Sequence, residues 1–151
     1  MIMLKIYLDN CCYNRPFDDL SQLKVNVEAN AKLYVQSLIK FNLIKLYYSF
    51  VSLVEIFDCP YKDKQNAILK FISEVNAEYI GTDKTDVIIP FAKEIMGTGI
   101  KEKDARHVAC AIYSGCDYFL TTDKRLLSYK TNKIKLINPI DFVKIWEESN
   151  E

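Results

Sequence analysis

A parallel α/β sheet with helices on its faces is the fold this sequence predicts. Apolar runs of strand length alternate with longer stretches of helical period, a pattern that sandwiches and bundles do not show. Half of the 151 residues are hydrophobic, enough for one domain spanning 1–151 with a substantial core. The chain carries no repeat, low-complexity segment or linker.

The first strand is Met3–Leu8, closed by Asp9. A helix over Val27–Phe41 follows, with Ala31, Tyr34, Val35, Leu38 and Phe41 spaced to give one buried stripe. Leu43–Phe50 is the second strand. Ser52–Phe57 opens the next helix, where Ser52-Leu53-Val54-Glu55 has the form of a capping box. Lys64–Val75 is helical, Glu78–Gly81 a strand, and Asp86–Met96 a helix that Gly97-Thr98-Gly99 terminates. Helix Lys101–Ser114 carries Asp104, Val108, Ala111 and Ile112 on one stripe, which puts a carboxylate at the head of an apolar, inward face. Strand Tyr118–Thr121 runs into Asp123 and a short helix at Lys124–Tyr129. Strand Lys135–Asn138 then leads to helix Pro139–Glu148, whose Pro139 and Asp141 suit a first turn.

Twenty basic and twenty acidic side chains cancel, so nucleic acid can be held only by local charge. Met1–Lys5 places no basic region ahead of an extended apolar stretch, and no run approaches the roughly 18 apolar residues of a membrane span. A soluble, cytoplasmic protein with no membrane partner is the expectation. Five cysteines at 11, 12, 59, 110 and 116 form no C-x-x-C pair, and a single histidine accompanies them. Reduced thiols are expected rather than a zinc site.

The chemistry lies in four acids. In an open parallel sheet, ligands gather outside the carboxyl ends of the strands. Asp9 and Asp123 stand at such ends, and Glu55 and Asp104 begin helices that reach the same rim. Crowded carboxylates repel, and a hard divalent cation relieves them. Oxygen-only ligands select Mg2+ or Mn2+, which polarise water and offset charge on a phosphodiester during in-line displacement. Asn10 and Thr121 or Thr122 stand where hydrogen bonds would orient these acids.

Four stretches, read together, resemble a PIN domain: Tyr7-Leu8-Asp9-Asn10-Cys11-Cys12-Tyr13-Asn14-Arg15-Pro16-Phe17-Asp18-Asp19; Glu55 after the second strand; Lys103-Asp104-Ala105-Arg106-His107-Val108-Ala109-Cys110-Ala111; and Asp117-Tyr118-Phe119-Leu120-Thr121-Thr122-Asp123. They cover nearly the whole chain in order. The resemblance implies a PIN-like three-layer α/β/α fold, with a central five-stranded parallel sheet flanked by helices. It also implies a Mg2+- or Mn2+-dependent endoribonuclease that often forms a homodimer. Many small members are VapC-type toxins that cut RNA and are silenced by an antitoxin protein. The family's acidic positions fall on Asp9, Glu55, Asp104 and Asp123, as catalytic and metal-holding residues, and its strand-end threonine falls on Thr121. One departure is Cys11, which stands where many toxins carry serine or threonine.

Each acid has a plainer reading. Asp9 suits a turn, Glu55 a capping box, Asp104 the helix dipole and Asp123 an N-cap. Asp117 lies at the opposite strand end, as a turn or cap residue, while Asp18 and Asp19 suit a loop. His107, one turn after Asp104, invites a general-base role, but a hydrogen-bonding structural role is preferred, because an ion makes a separate base dispensable. Tyr47, Tyr48, Tyr61 and Tyr79 are expected to pack in the core or on strand faces rather than to stack on RNA. Arg15, Lys101, Lys103, Arg106, Lys124 and Arg125 surround the acids as a basic rim for substrate phosphates. Two other functions compete: a catalytically silent PIN-like module that binds RNA or protein, and an aspartate-dependent phosphatase. The phosphatase needs a second aspartate two positions after the first, where Cys11 stands.

Overall fold

The computed structural model describes residues 3–13 and 23–150. Among them the order is β1 (Lys5–Leu8), α1 (Leu23–Lys40), β2 (Lys45–Ser49), α2 (Phe50–Asp58), α3 (Lys62–Glu74), β3 (Glu78–Ile80), α4 (Thr85–Met96), α5 (Glu102–Tyr113), β4 (Tyr118–Leu120), α6 (Lys124–Leu127), β5 (Lys135–Ile137) and α7 (Pro139–Ser149). The strands form one parallel sheet in the order β3-β2-β1-β4-β5, with Ile6 level with Leu46 on one side and Tyr118 on the other. From β1 the chain builds outward through β2 and β3, then crosses back to lay β4 on β1's other edge. The reversal makes a topological switch point between β1 and β4, the kind of place where open α/β sheets bind ligands outside the strand carboxyl ends.

Alternation along the strands sorts the core into two layers. Ile6, Leu8, Leu46 and Leu120 pack with Val35 and Leu38 of α1, Ile68 and Phe71 of α3 and Phe142 of α7. Tyr7 and Phe119 face the other way, onto Ile88, Ala92 and Ile95 of α4 and Ala105, Val108 and Ala111 of α5. Their rings stack with centroids 5.3 Å apart. The small residues on α5 allow close approach to the sheet, which brings the head of that helix to the strand ends.

Helix ends are closed by local chemistry. At α1, Asn42 takes φ 58°, so that Asn42 N–H donates to the Ile39 carbonyl and Leu43 N–H to that of Leu38. At α5, Gly115 takes φ 76°, with Gly115 N–H on Ile112 O and Cys116 N–H on Ala111 O. Both are reciprocal C-terminal closures that turn the chain straight into the next strand.

Two expectations are corrected. The α2 helix begins two residues earlier than Ser52: Ser49 caps it, accepting from Val51 N and Ser52 N, while Ser52 Oγ accepts from Ser49 N. Glu55 therefore sits inside the helix, with its carboxylate free of any capping duty. Tyr47 and Tyr48 pack as expected, but Tyr61 and Tyr79 are exposed, one at the N-cap of α3 and the other on the edge strand β3. Tyr79 keeps a ring contact with Tyr48, centroids 5.0 Å apart. All five cysteines are free. Among the described residues no helix is long and apolar enough to cross a membrane.

Candidate metal centre

The switch point gathers the acids. Asp9, the residue after β1, is buried and pinned from both sides: its backbone N–H donates to the Leu120 carbonyl at 2.9 Å, tying it to β4. Its Oδ1 accepts from Asn10 N–H at 2.8 Å and its Oδ2 from Thr121 Oγ1 at 2.7 Å. Thr121, fully buried at the end of β4, also accepts from Asp123 N–H at 3.0 Å. One hydroxyl thus fixes the carboxylate of one strand end and the backbone of the other. Asn10 acts through its backbone, and its side-chain Oδ1 is buried without a hydrogen-bond partner among the described residues. Cys11, in the place of a hydroxyl residue, directs its thiol to Asp9 Oδ2 at 3.7 Å and accepts from Thr122 Oγ1 at 3.3 Å.

Asp123 caps α6, its Oδ1 accepting from Arg125 N–H at 2.8 Å. Its Oδ2 takes no hydrogen bond among the described residues, so capping uses only half of the carboxylate. Asp104 lies in the first turn of α5 and is half-buried. Burial pushes its carboxyl above the usual range, and the charges of Asp9, Asp123 and Glu55 push the same way, against His107. Asp104 therefore sits within electrostatic reach of the other three acids. Burial also acts on Glu55, but there the His107 hydrogen bond and charge, with Lys103 nearby, outweigh it and hold the carboxyl below its ordinary value.

Among the described residues, Asp9, Glu55 and His107 offer ligand atoms that lie within 4.8 Å of one another, a group that includes neither Asp104 nor Asp123. His107 is wholly buried, its Nε2 2.5 Å from Glu55 Oε1 and its Nδ1 2.6 Å from the Tyr7 hydroxyl. The preference for a hydrogen-bonding histidine fits these contacts, with one of the acids as a partner. Tyr7 in turn contacts Ser49 Oγ at 2.7 Å and Ser52 Oγ at 3.0 Å. The role of these three hydroxyls around His107 escaped the sequence reading. The signal for them was a tyrosine in a central buried strand, whose O–H must find a partner.

The basic rim is uneven. Lys103 lies close enough to Glu55 to lower its carboxyl, and both line a cleft with Phe50, Val54 and Arg106. Arg106 itself pairs with Glu102 one turn back at 2.5 Å, an exposed pair of little strength. Lys101 is the N-cap of α5, and Lys124 and Arg125 open α6; Arg125 faces a second cleft with Lys130. Arg15, Asp18 and Asp19 lie outside the described residues. Asp117 is at the far rim, accepting from Lys5 N–H at 2.8 Å.

No protein-family model matches the sequence, and no curated protein matches it. The structure is similar to a chain in the crystal structure of VapBC2 from Rickettsia felis bound to a DNA fragment from their promoter. The TM-score is 0.57 at 14% identity, over 89% of this chain and 98% of that one. The likeness establishes the PIN-like α/β fold of five parallel strands flanked by helices. The Asp9–Glu55–His107 group at its switch point is one that could hold a metal ion.

Proposed function

We propose that this chain is a Mg2+- or Mn2+-dependent endoribonuclease that hydrolyses RNA phosphodiester bonds, and the toxin of a toxin–antitoxin pair. The observation that supports the reading is the grouping of Asp9 and Glu55 ligand atoms within 4.8 Å at the switch point, with Asp104 near enough to feel the negative charges of Asp9, Asp123 and Glu55. Folding pays for that repulsion unless a cation offsets it. All-carboxylate donors at a half-buried crevice fit a hard divalent ion.

Asp9, Glu55, Asp104 and Asp123 would hold the ion, which when bound supplies charge to polarise the scissile phosphate and an attacking water. Thr121 holds Asp9 Oδ2 and fixes the backbone from which Asp123 projects. Lys103, Lys124 and Arg125 stand beside the acids, suited to neighbouring phosphates of the strand. In the reaction, water oxygen bonds to phosphorus, one ester P–O bond breaks, and the departing oxygen takes up a proton. The R. felis structure contains VapBC2 with promoter DNA; by analogy, this chain is expected to have an antitoxin partner. A homodimer in the cytoplasm completes the reading, and light scattering tests the dimer.

The test is cleavage of structured RNA with Mg2+ or Mn2+, with EDTA and Asp9→Asn as controls. Cleavage lost in both controls supports the nuclease. Cleavage that survives both, or RNA bound but never cut, returns the chain to a binding module.

A further inference from the structure

The geometry points to His107 as a positioning residue for Glu55, held by a Tyr7–Ser49–Ser52 hydroxyl cluster and not itself a ligand of the ion. The inference rests on the metal reading above and deepens it. Proximity alone leaves His107 open as a ligand, since its Nε2 lies within the Asp9–Glu55–His107 group. The hydrogen bonds decide between the two roles. With the Tyr7 hydroxyl on its Nδ1 side, the ring meets the Glu55 carboxylate oxygen 2.5 Å away through Nε2–H, which leaves that nitrogen no lone pair for a cation.

The other side of the ring is anchored independently. Ser49 Oγ accepts two backbone N–H groups, from Val51 and Ser52, so its own proton is free for the Tyr7 oxygen 2.7 Å away. Ser52 Oγ accepts from Ser49 N–H and lies 3.0 Å from the same oxygen. The Tyr7 hydroxyl remains to meet His107 Nδ1 at 2.6 Å, and all of these groups are fully buried. Strand β1, the start of α2 and the middle of α5 are thereby linked through one ring. Its effect is to hold a carboxylate on α2 toward the Asp9 side of the crevice. A hydrogen-bonding neighbour of this kind typically changes metal affinity by about 10- to 100-fold when removed.

Because the chain contains a single histidine, its ring nitrogens can be read directly by 15N NMR in the intact protein. The expected result is a proton on Nε2 both before and after Mg2+ is added. An unprotonated Nε2, or loss of that proton on adding Mg2+, would overturn the assignment. The second measurement is Mn2+ affinity by calorimetric titration for His107→Gln and His107→Leu. Glutamine returns a donor near the Nε2 position and should bind within a few-fold of the unaltered protein, whereas leucine should weaken binding about 10- to 100-fold. Equal losses in both variants would make His107 a ligand, and no loss in either would make it mere packing. Should leucine fail to fold, Tyr7→Phe tests the same link, with weaker Mn2+ binding expected and unchanged binding overturning it. Failure of the unaltered protein to bind Mn2+ would bring down the metal reading instead, a result distinct from an ion that binds and ignores His107.

Discussion

Strand β4 carries an aspartate at each end, and the two are treated differently. At the amino rim, Asp117 accepts the Lys5 N–H at 2.8 Å and so helps to seat β1 beside β4. At the carboxyl rim, Asp123 lies near Asp104, whose carboxyl is pushed up by burial and by the charges of Asp9, Asp123 and Glu55. The amino rim otherwise presents an apolar groove of Met3, Leu43, Tyr118, Phe142 and Trp146. The same residue type at two ends of three-residue β4 thus serves as a backbone tie in one place and as part of an acidic well in the other. What separates them is how charge is compensated.

The largest expected effect follows from that contrast. Asp9→Asn or Asp104→Asn should lower RNA cleavage at least 100-fold, on the order of the loss when a group stabilising developing charge is removed. Asp117→Asn should leave turnover unchanged. Equal losses from substitutions at the two rims, in rates measured on one RNA at fixed Mn2+, would erase the distinction between them.

Metal addition comes next. Free Mn2+ at 100 times its Kd should stabilise the protein by about 2.7 kcal/mol, and so raise Tm by roughly 5–10 °C. The shift should persist in Asp117→Asn and vanish in Asp104→Asn when followed by thermal scans with and without EDTA. Thr121→Val sharpens the comparison further, because it removes both the donor to Asp9 and the acceptor for Asp123 N–H. A destabilisation of about 1–3 kcal/mol is expected in urea unfolding, together with weaker Mn2+ binding.

The sequence laid out the order of strands and helices because each buried strand is a short apolar run and each amphipathic helix repeats at its own period. Strand ends were legible to within one or two residues, and with them Asp9 and Asp123. Glu55 was harder to read. Ser52-x-x-Glu55 and Ser49-x-x-Ser52 both fit a helix start, and only the tertiary link from Ser49 and Ser52 to Tyr7 shows which is used. The His107–Glu55 contact, 52 positions apart, and the Tyr7–His107 contact, 100 apart, have no local signature at all. Tyr61 illustrates the reverse error, since aromatic character suggested packing where chain position left the ring in solvent.

Smallest of the expected effects is the pH response in the absence of metal. The folded state holds the Asp104 proton more tightly than the unfolded chain does. Its contribution to stability therefore falls as pH rises from the ordinary aspartate value of about 3.9 through its raised folded value. Glu55 runs the other way: its contribution is present above the ordinary glutamate value of about 4.3, and is lost as pH falls through the lowered folded value. Urea midpoints across mildly acidic pH in EDTA should rise for Asp104→Asn relative to the unaltered protein, most at the upper end. A midpoint that drops there would mean that Asp104 is already compensated by the protein.

The convergence of the four acids on one ion is tested most directly by a crystal grown or soaked with manganese and measured at its anomalous edge. The account predicts a single dominant peak, or two adjacent ones, in the crevice among Asp9, Glu55, Asp104 and Asp123, with His107 turned to Glu55 rather than to the metal. A crevice without manganese, or manganese held elsewhere while these side chains point apart, would contradict it.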